Sequence, residues 1–75
     1  MYVRVMYYKP EANGYSGREY TYFTQMPLQE GDKVIAPTAK EPEQKAMVTE
    51  VNVPETEISP EWKDRVKEIK EYANE

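Results

Sequence analysis

The first half of the chain alternates between apolar and polar residues, which is the pattern of half-buried β-strands. In residues 2–8, for example, Val3 and Val5 fall on one face and Arg4 on the other. Proline and glycine residues separate the alternating runs and predict turns between them. The pattern predicts four strands, at residues 2–8, 18–24, 33–37 and 45–53.

The alternation slips within the longest of these runs, residues 45–53. Ala46 and Val48 share one face, whereas the two valines that follow Glu50 fall on the opposite face. One inserted residue, a β-bulge near Thr49 and Glu50, would turn both pairs inward. Because bulges bend strands where small barrels turn a corner, a bent fourth strand predicts a small barrel.

The last part of the chain changes its apolar period from two to 3.6. Ser59 is a favourable N-cap, and Pro60 fits the first position of a helix. From there one apolar stripe recurs at helical spacing, at Trp62, Val66, Ile69 and Ala73. This spacing predicts an amphipathic helix at about residues 59–73 that covers one end or face of the barrel. We expect Trp62 to be buried against the barrel rather than against a partner.

The residue composition agrees with a β domain. Valine and isoleucine together supply ten residues and tyrosine seven, whereas leucine occurs once. A chain of 75 residues is long enough to form only one hydrophobic core. We therefore predict a single mainly β domain over residues 1–75, an SH3-like or related small barrel at about residues 1–58 followed by the helix. Residues 54–58 should form a short final strand or a turn.

The chemical inventory of the chain argues against an enzyme. It contains no cysteine and no histidine, which excludes disulfides, zinc fingers and the usual nucleophile–base pairs. We expect no catalytic residue, no metal and no cofactor. No apolar run approaches the length of a membrane span or a signal peptide, so a soluble cytoplasmic protein is the expectation. The net charge of −4 argues against a large nucleic-acid footprint.

Tyr7, Tyr20 and Tyr22 lie on predicted strands and allow two interpretations. They could fill the core or form cross-strand pairs, or they could form an exposed platform for bases or proline-rich peptides. Because leucine is so scarce, we favour the core for some of them. Basic residues that could border such a platform are Arg4, Arg18, Lys33, Lys40 and Lys45.

Three segments carry a resemblance to a known family. They are Tyr20-Thr21-Tyr22-Phe23, the run from Leu28 through Gly31-Asp32-Lys33-Val34 to Pro37, and Ala46-Met47-Val48-Thr49-Glu50-Val51. Together they resemble the N-terminal 3′-end DNA-binding domain of the primosomal replication-restart helicase, over about residues 18–53. That family has an aromatic-Asp-Tyr strand, a Gly-x-x-Val-x-Val-Pro strand and a Gly-Ile-Val-x-x-Val strand. The resemblance implies a primosomal-type barrel without the helicase body.

The resemblance also implies a set of nucleic-acid-binding residues: Tyr20, Thr21, Tyr22, Ala39, Lys40 and Lys63. Thr21 stands where the family has the aspartate of its pocket, which removes a hydrogen-bond acceptor for the terminal nucleotide. Ala39 stands where the family has glycine, and its methyl group leaves less room for a ligand to approach the backbone closely. The family also has a lysine in the segment that follows its last strand, and this position falls near Lys63.

Two functions remain open at this stage. The net charge and the residues at positions 21 and 39 favour a non-catalytic protein-interaction module. The resemblance favours a module that binds single-stranded DNA or its 3′ end. The expected partner is therefore a protein or a single-stranded DNA end, with no membrane and no metal, and the sequence leaves the oligomeric state open.

Overall fold

The computed structural model describes residues 1–73, which form five strands and one turn of α-helix. The strands are β1 (Tyr2–Lys9), β2 (Gly14–Thr24), β3 (Lys33–Ile35), β4 (Lys45–Val53) and β5 (Glu68–Ile69), and the helix is α1 (Pro60–Lys63). Short 3₁₀ turns occupy Pro10–Ala12 and Glu55–Glu57. The mainly β class is confirmed, and residues 54–58 form the turn rather than the strand. Within residues 1–73, no helix has the length and apolar character needed to cross a membrane.

The strands form one sheet in the order β3-β4-β1-β2-β5 that curls into a nearly closed barrel. Neighbouring strands are antiparallel except for β2 and β5, which are parallel. The chain after β5 then reaches β3 at the opposite edge of the sheet. There the Ile35 N–H donates to the Glu71 carbonyl (3.1 Å), and the Ala73 N–H donates to the Lys33 carbonyl (3.0 Å). These bonds join the two edges, so the small barrel predicted from the sequence is confirmed.

The four predicted strands are present, and their bounds differ mainly at the first hairpin. The sequence predicts a loop up to Gly17, whereas β2 already begins at Gly14. The turn is tighter because Asn13 takes a left-handed conformation (φ 54°) after the 3₁₀ turn, which reverses the chain at once. The third strand ends at Ile35, two residues before the predicted end.

The predicted bulge in the fourth strand is confirmed by the register of β1 on β4. Val5 lies opposite Val48 and Arg4 opposite Glu50, so Thr49 is the inserted residue. A second irregularity follows, where Asn52 has a φ of 53°. As a result the apolar residues on both sides of the bulge reach the interior.

The core lies inside the barrel. Its buried members come from every strand and from the segments before and after β3: Val3, Val5, Tyr22, Leu28, Val34, Ala36, Ala46, Val48 and Ile69. The valines of β1 alternate with half-buried outward residues, as the sequence pattern predicts. The interior is therefore filled mainly by branched and small side chains.

The predicted helix over residues 59–73 is wrong in its length. It ends at Lys63, and the chain is extended again at β5. The physical reason lies in the edge of β2, where the Phe23 N–H donates to the Lys67 carbonyl (2.9 Å) and the Thr24 hydroxyl donates to the Ile69 carbonyl (3.0 Å). An extended segment satisfies these buried groups, whereas a helix would keep its carbonyls for its own backbone.

The predicted burial of Trp62 is also wrong. Its side chain is 58% exposed, although it lies on the apolar stripe of the sequence. Ile69, from the same stripe, is fully buried as part of β5. The extended conformation after α1 therefore divides the stripe between the core and the surface.

Candidate functional site

A groove of about 590 Å³ lies between β2 and the C-terminal segment that contains α1. Tyr7 and residues 19–22 form its floor and one wall, and residues 37–39 after β3 form its end. The C-terminal segment supplies the other wall through residues 57–59, 62 and 65–67. Its volume falls within the range of sites that bind small molecules.

Three tyrosines line the floor and one wall of the groove because of the register of β1 on β2. Val5 lies opposite Tyr20 and Val3 opposite Tyr22, so both tyrosines share the inward face with Tyr7. The rings of Tyr7 and Tyr20 are stacked, with centroids 4.5 Å apart and planes 10° from parallel. The cluster is therefore a rigid aromatic surface.

The hydroxyl groups of this cluster are hydrogen-bonded. The Tyr22 hydroxyl donates to the Pro37 carbonyl (3.0 Å) and lies 2.7 Å from the Tyr7 hydroxyl. Since Tyr22 has a single proton to donate, Tyr7 donates to Tyr22. Burial raises the pKa of Tyr22 far above its ordinary value, and burial also raises the pKa of Tyr7. Both phenols stay neutral at physiological pH, so the floor offers aromatic surface rather than an ionised base.

The tyrosines divide between the core and the surface. Tyr22 is buried in the core, whereas Tyr20 is 38% exposed and presents its ring to the groove. Trp62 presents a second exposed ring in the same groove, and the Arg65 guanidinium lies over it, 5.4 Å from the ring centroid. The groove thus has an exposed aromatic ring on each wall.

Four of the six predicted nucleic-acid-binding residues lie together in this groove: Tyr20, Thr21, Tyr22 and Ala39. Lys40 and Lys63 do not line it. Lys40 is exposed in the loop after β3, and the Lys63 ammonium pairs with Glu55 at 2.7 Å. That hydrogen bond raises the pKa of Lys63.

Sequence reasoning missed Arg65 and Lys67, which line the groove. In the predicted helix they belong to the polar faces, so nothing in the sequence pattern marks them. Neither side chain is within ion-pair distance of a carboxylate of residues 1–73. The two acidic residues of the groove are engaged elsewhere: Glu57 pairs with Arg4 at 3.2 Å, and Glu19 accepts a hydrogen bond from the Thr49 hydroxyl.

The edge of β2 that faces the groove has no strand partner for most of its length. Met1 and Thr24 exchange two backbone hydrogen bonds (2.8 and 2.9 Å), so alternate residues of β2 direct their backbone groups to β1. The backbone groups of Phe23 face away from β1, and its N–H donates to the Lys67 carbonyl. By the same alternation, the backbone groups of Thr21 also face away from β1. In the part of the chain that the structure describes, β5 pairs with β2 only at Phe23 and Thr24. The N–H and carbonyl of Thr21 are therefore open to a partner.

Among residues 1–73, no three acidic, cysteine or histidine side chains cluster as metal ligands would. The expectations that the protein is not an enzyme and takes no metal or cofactor stay predictions.

Fold and site together define a small β-barrel with an aromatic groove beside an open strand edge. The chain matches no protein-family model, no curated protein and no solved structure. Neither the SH3-like subtype nor the resemblance to the helicase domain is tested by these comparisons, and both stay predictions.

Proposed function

We propose that the protein is a non-catalytic interaction module that binds an extended segment of a partner protein in the aromatic groove. The observation that carries this proposal is the open edge of β2 at Thr21, beside the exposed rings of Tyr20 and Trp62. A strand edge offers hydrogen bonds to any extended backbone, and neighbouring pockets then select side chains.

The aromatic walls supply the binding energy that such an edge lacks. Tyrosine and tryptophan provide large, rigid contact surfaces at a low cost in side-chain entropy, and they are common among the residues that dominate interfaces. Tyr20 is already ordered by its stacking on Tyr7. A ligand therefore finds one wall preorganised, which lowers the cost of binding.

Single-stranded DNA is the second candidate, favoured by one specific observation. Tyr20, Thr21, Tyr22 and Ala39, the positions that the helicase resemblance implies, do lie in one groove. A base could stack on the ring of Tyr20. The charges favour the peptide, because Lys40 and Lys63 lie outside the groove, whereas DNA binding draws most of its affinity from several cations on phosphates. A cytoplasmic location stays part of the proposal.

Trp62 makes the proposal testable because it is the single tryptophan of the chain and lies in the groove. The ligands are a peptide selected from a random 12-residue display library and, separately, a ten-residue oligothymidine at low salt. We expect the selected peptide to shift Trp62 emission to the blue on saturation. Tyr20→Ala should lower the affinity for the peptide by about tenfold or more, since an aromatic residue at an interface contributes about 1–2 kcal/mol or more to the binding free energy.

The matched control is Tyr72→Ala, which removes another exposed tyrosine that does not line the groove. It should bind the peptide as the unchanged protein does. A selection that enriches no peptide, or one whose affinity Tyr20→Ala leaves unchanged, would overturn the proposal. Saturable binding of oligothymidine that is lost in Tyr20→Ala, with no competing peptide, would replace it by the DNA function.

A further inference from the structure

We infer that the partner segment binds as an added strand on the open edge of β2 and carries a carboxylate that contacts Arg65 and Lys67. The inference rests on the proposed function and specifies both the binding mode and the chemistry of the ligand. Its two parts come from independent observations, the backbone of β2 and the charges of the groove.

The backbone of β2 sets the position and the length of the added strand. Gly17 has a φ of 93°, which interrupts the extended conformation, and β5 occupies the edge from Phe23 onward. Residues 18–22 remain as a regular edge, and this edge includes the open N–H and carbonyl of Thr21. An added strand of about five residues, ~17 Å long, fits this interval. It would continue the line of β5 along the same edge.

The charges of the groove define what the segment should carry. The whole chain has a net charge of −4, yet two acidic and two basic residues line the groove. Glu57 is paired with Arg4, and Glu19 is held over β1 by Thr49 on β4. Arg65 and Lys67 remain on the wall opposite β2, with no carboxylate of residues 1–73 within ion-pair distance. A carboxylate on the bound segment would complement them.

The same observations separate the peptide from other occupants. A strand edge alternates donors and acceptors at the spacing of a polypeptide backbone, which a nucleic acid does not reproduce. A second copy of the chain could pair edge to edge through β2. That arrangement would bring Arg18 and Glu19 of each copy to the interface and would leave Arg65 and Lys67 without a specified acidic partner.

The first test compares Thr21→Pro with Thr21→Ala, using the peptide selected from the 12-residue library. Proline removes the open N–H without breaking a bond to β1, and edge strands tolerate it there. Alanine reports the loss of the side chain alone. We expect Thr21→Pro to bind at least about tenfold more weakly than Thr21→Ala. Thermal unfolding of the two variants shows whether both fold.

Amide hydrogen exchange of the unchanged protein tests the same point without a variant. Saturation with the peptide should slow exchange of the Thr21 amide by about tenfold or more, because an open edge amide becomes hydrogen-bonded. The Tyr20 amide, which already faces β1, serves as the internal control and should change much less. Unchanged exchange at Thr21 in the saturated complex would overturn strand addition.

The predicted contacts of the peptide carboxylate are tested with Arg65→Gln and Lys67→Gln, and Lys70→Gln is the matched control outside the groove. Each groove variant should lower the affinity for the peptide by about threefold to tenfold. When the acidic residue of the peptide is replaced by its amide, the groove variants should bind it as the unchanged protein does. Selected peptides without an enriched acidic position, or equal effects of all three variants, would overturn this part.

The outcomes distinguish the strand-addition mode from the proposed function. A peptide that requires Tyr20 but ignores Thr21→Pro overturns the strand-addition mode and leaves the proposed function standing. The absence of any groove-binding peptide overturns both. A concentration-dependent dimer in sedimentation that Thr21→Pro abolishes would identify a second copy as the occupant and overturn the inference.

Discussion

Tyr22 connects the core of the barrel to the groove. Its ring is buried among the valines of β1, and its hydroxyl binds both Tyr7 and the Pro37 carbonyl. The hydrogen bond to Pro37 holds the loop after β3 against the floor of the groove. A single side chain therefore contributes to stability and to the shape of the site.

The raised pKa values of Tyr22 and Tyr7 predict a loss of stability at alkaline pH. An unfolded chain ionises its tyrosines near the ordinary pKa of 10.0, whereas the folded protein keeps these two neutral. Unfolding therefore releases protons at high pH, and this contribution is complete below about pH 9 and lost as the pH rises above about 10. Urea unfolding between about pH 8 and 11 should show a falling free energy of unfolding.

Tyr22→Phe provides the control for this pH dependence. It should cost about 1–3 kcal/mol at neutral pH, because the Pro37 carbonyl and the Tyr7 hydroxyl lose their partner. It should also reduce the slope of the free energy of unfolding above about pH 10. A variant with the slope of the unchanged protein would show that the Tyr22 phenol ionises in the folded state.

Asn52 marks a position where the backbone of β4 needs a left-handed conformation. Its φ is 53°, and its side chain is exposed at the second irregularity of the strand. We predict that Asn52→Gly keeps the stability of the barrel within about 0.5 kcal/mol, whereas Asn52→Ala costs about 1–2 kcal/mol. Chemical denaturation of the two variants measures the difference. Equal stability of both would mean that the strand relaxes out of this conformation.

At the scale of the element, β5 is only two residues long but completes the sheet. Ile69 is fully buried, whereas Trp62, seven residues earlier, is largely exposed. The elements of the C-terminal segment therefore have separate roles. The short strand contributes to the core, and α1 presents an aromatic ring to the groove.

This division predicts opposite results for two alanine variants of the same segment. Ile69→Ala should cost about 2–5 kcal/mol, because it leaves a cavity in the barrel. Trp62→Ala should cost less than about 1 kcal/mol, because most of the ring already contacts solvent. Urea midpoints measure both. The reverse order would indicate that the C-terminal segment packs through Trp62, as a continuous helix would.

At the scale of the whole molecule, stability depends on closing the barrel with the last described residues. Glu71 and Ala73 make the hydrogen bonds to β3 that join the two edges of the sheet. A domain of 75 residues buries a modest share of its surface, so each such contact is a large part of a small total.

We predict that deletion of residues 70–75 opens the barrel, whereas deletion of residues 74–75 does not. The longer deletion removes both hydrogen bonds to β3 and should cost about 2–4 kcal/mol. Hydrogen exchange at the Ile35 amide, which donates to Glu71, is the most direct measurement. Equal protection of this amide in both shortened chains would contradict closure by residues 71–73.

Alternation alone determined the four longer strands and even the bulge of β4. Which face of a strand is buried is a local property, and a slip of one residue at Thr49 is visible in the chain itself. Four of the six residues that the family resemblance implies line the groove, and their role in binding stays a prediction. Arg65 and Lys67 could not be found in this way, because their place in the groove depends on the path of the chain after α1.

The C-terminal segment shows what only the tertiary structure decided. Its apolar spacing fits a helix, and residues 60–63 do form one. Beyond Lys63, however, the open edges of β2 and β3 need backbone partners, and these lie more than 30 residues away along the chain. Satisfying buried N–H and carbonyl groups outweighs a local helical preference of a few tenths of a kcal/mol per residue. The extended path that results buries Ile69 and places Trp62 in the groove.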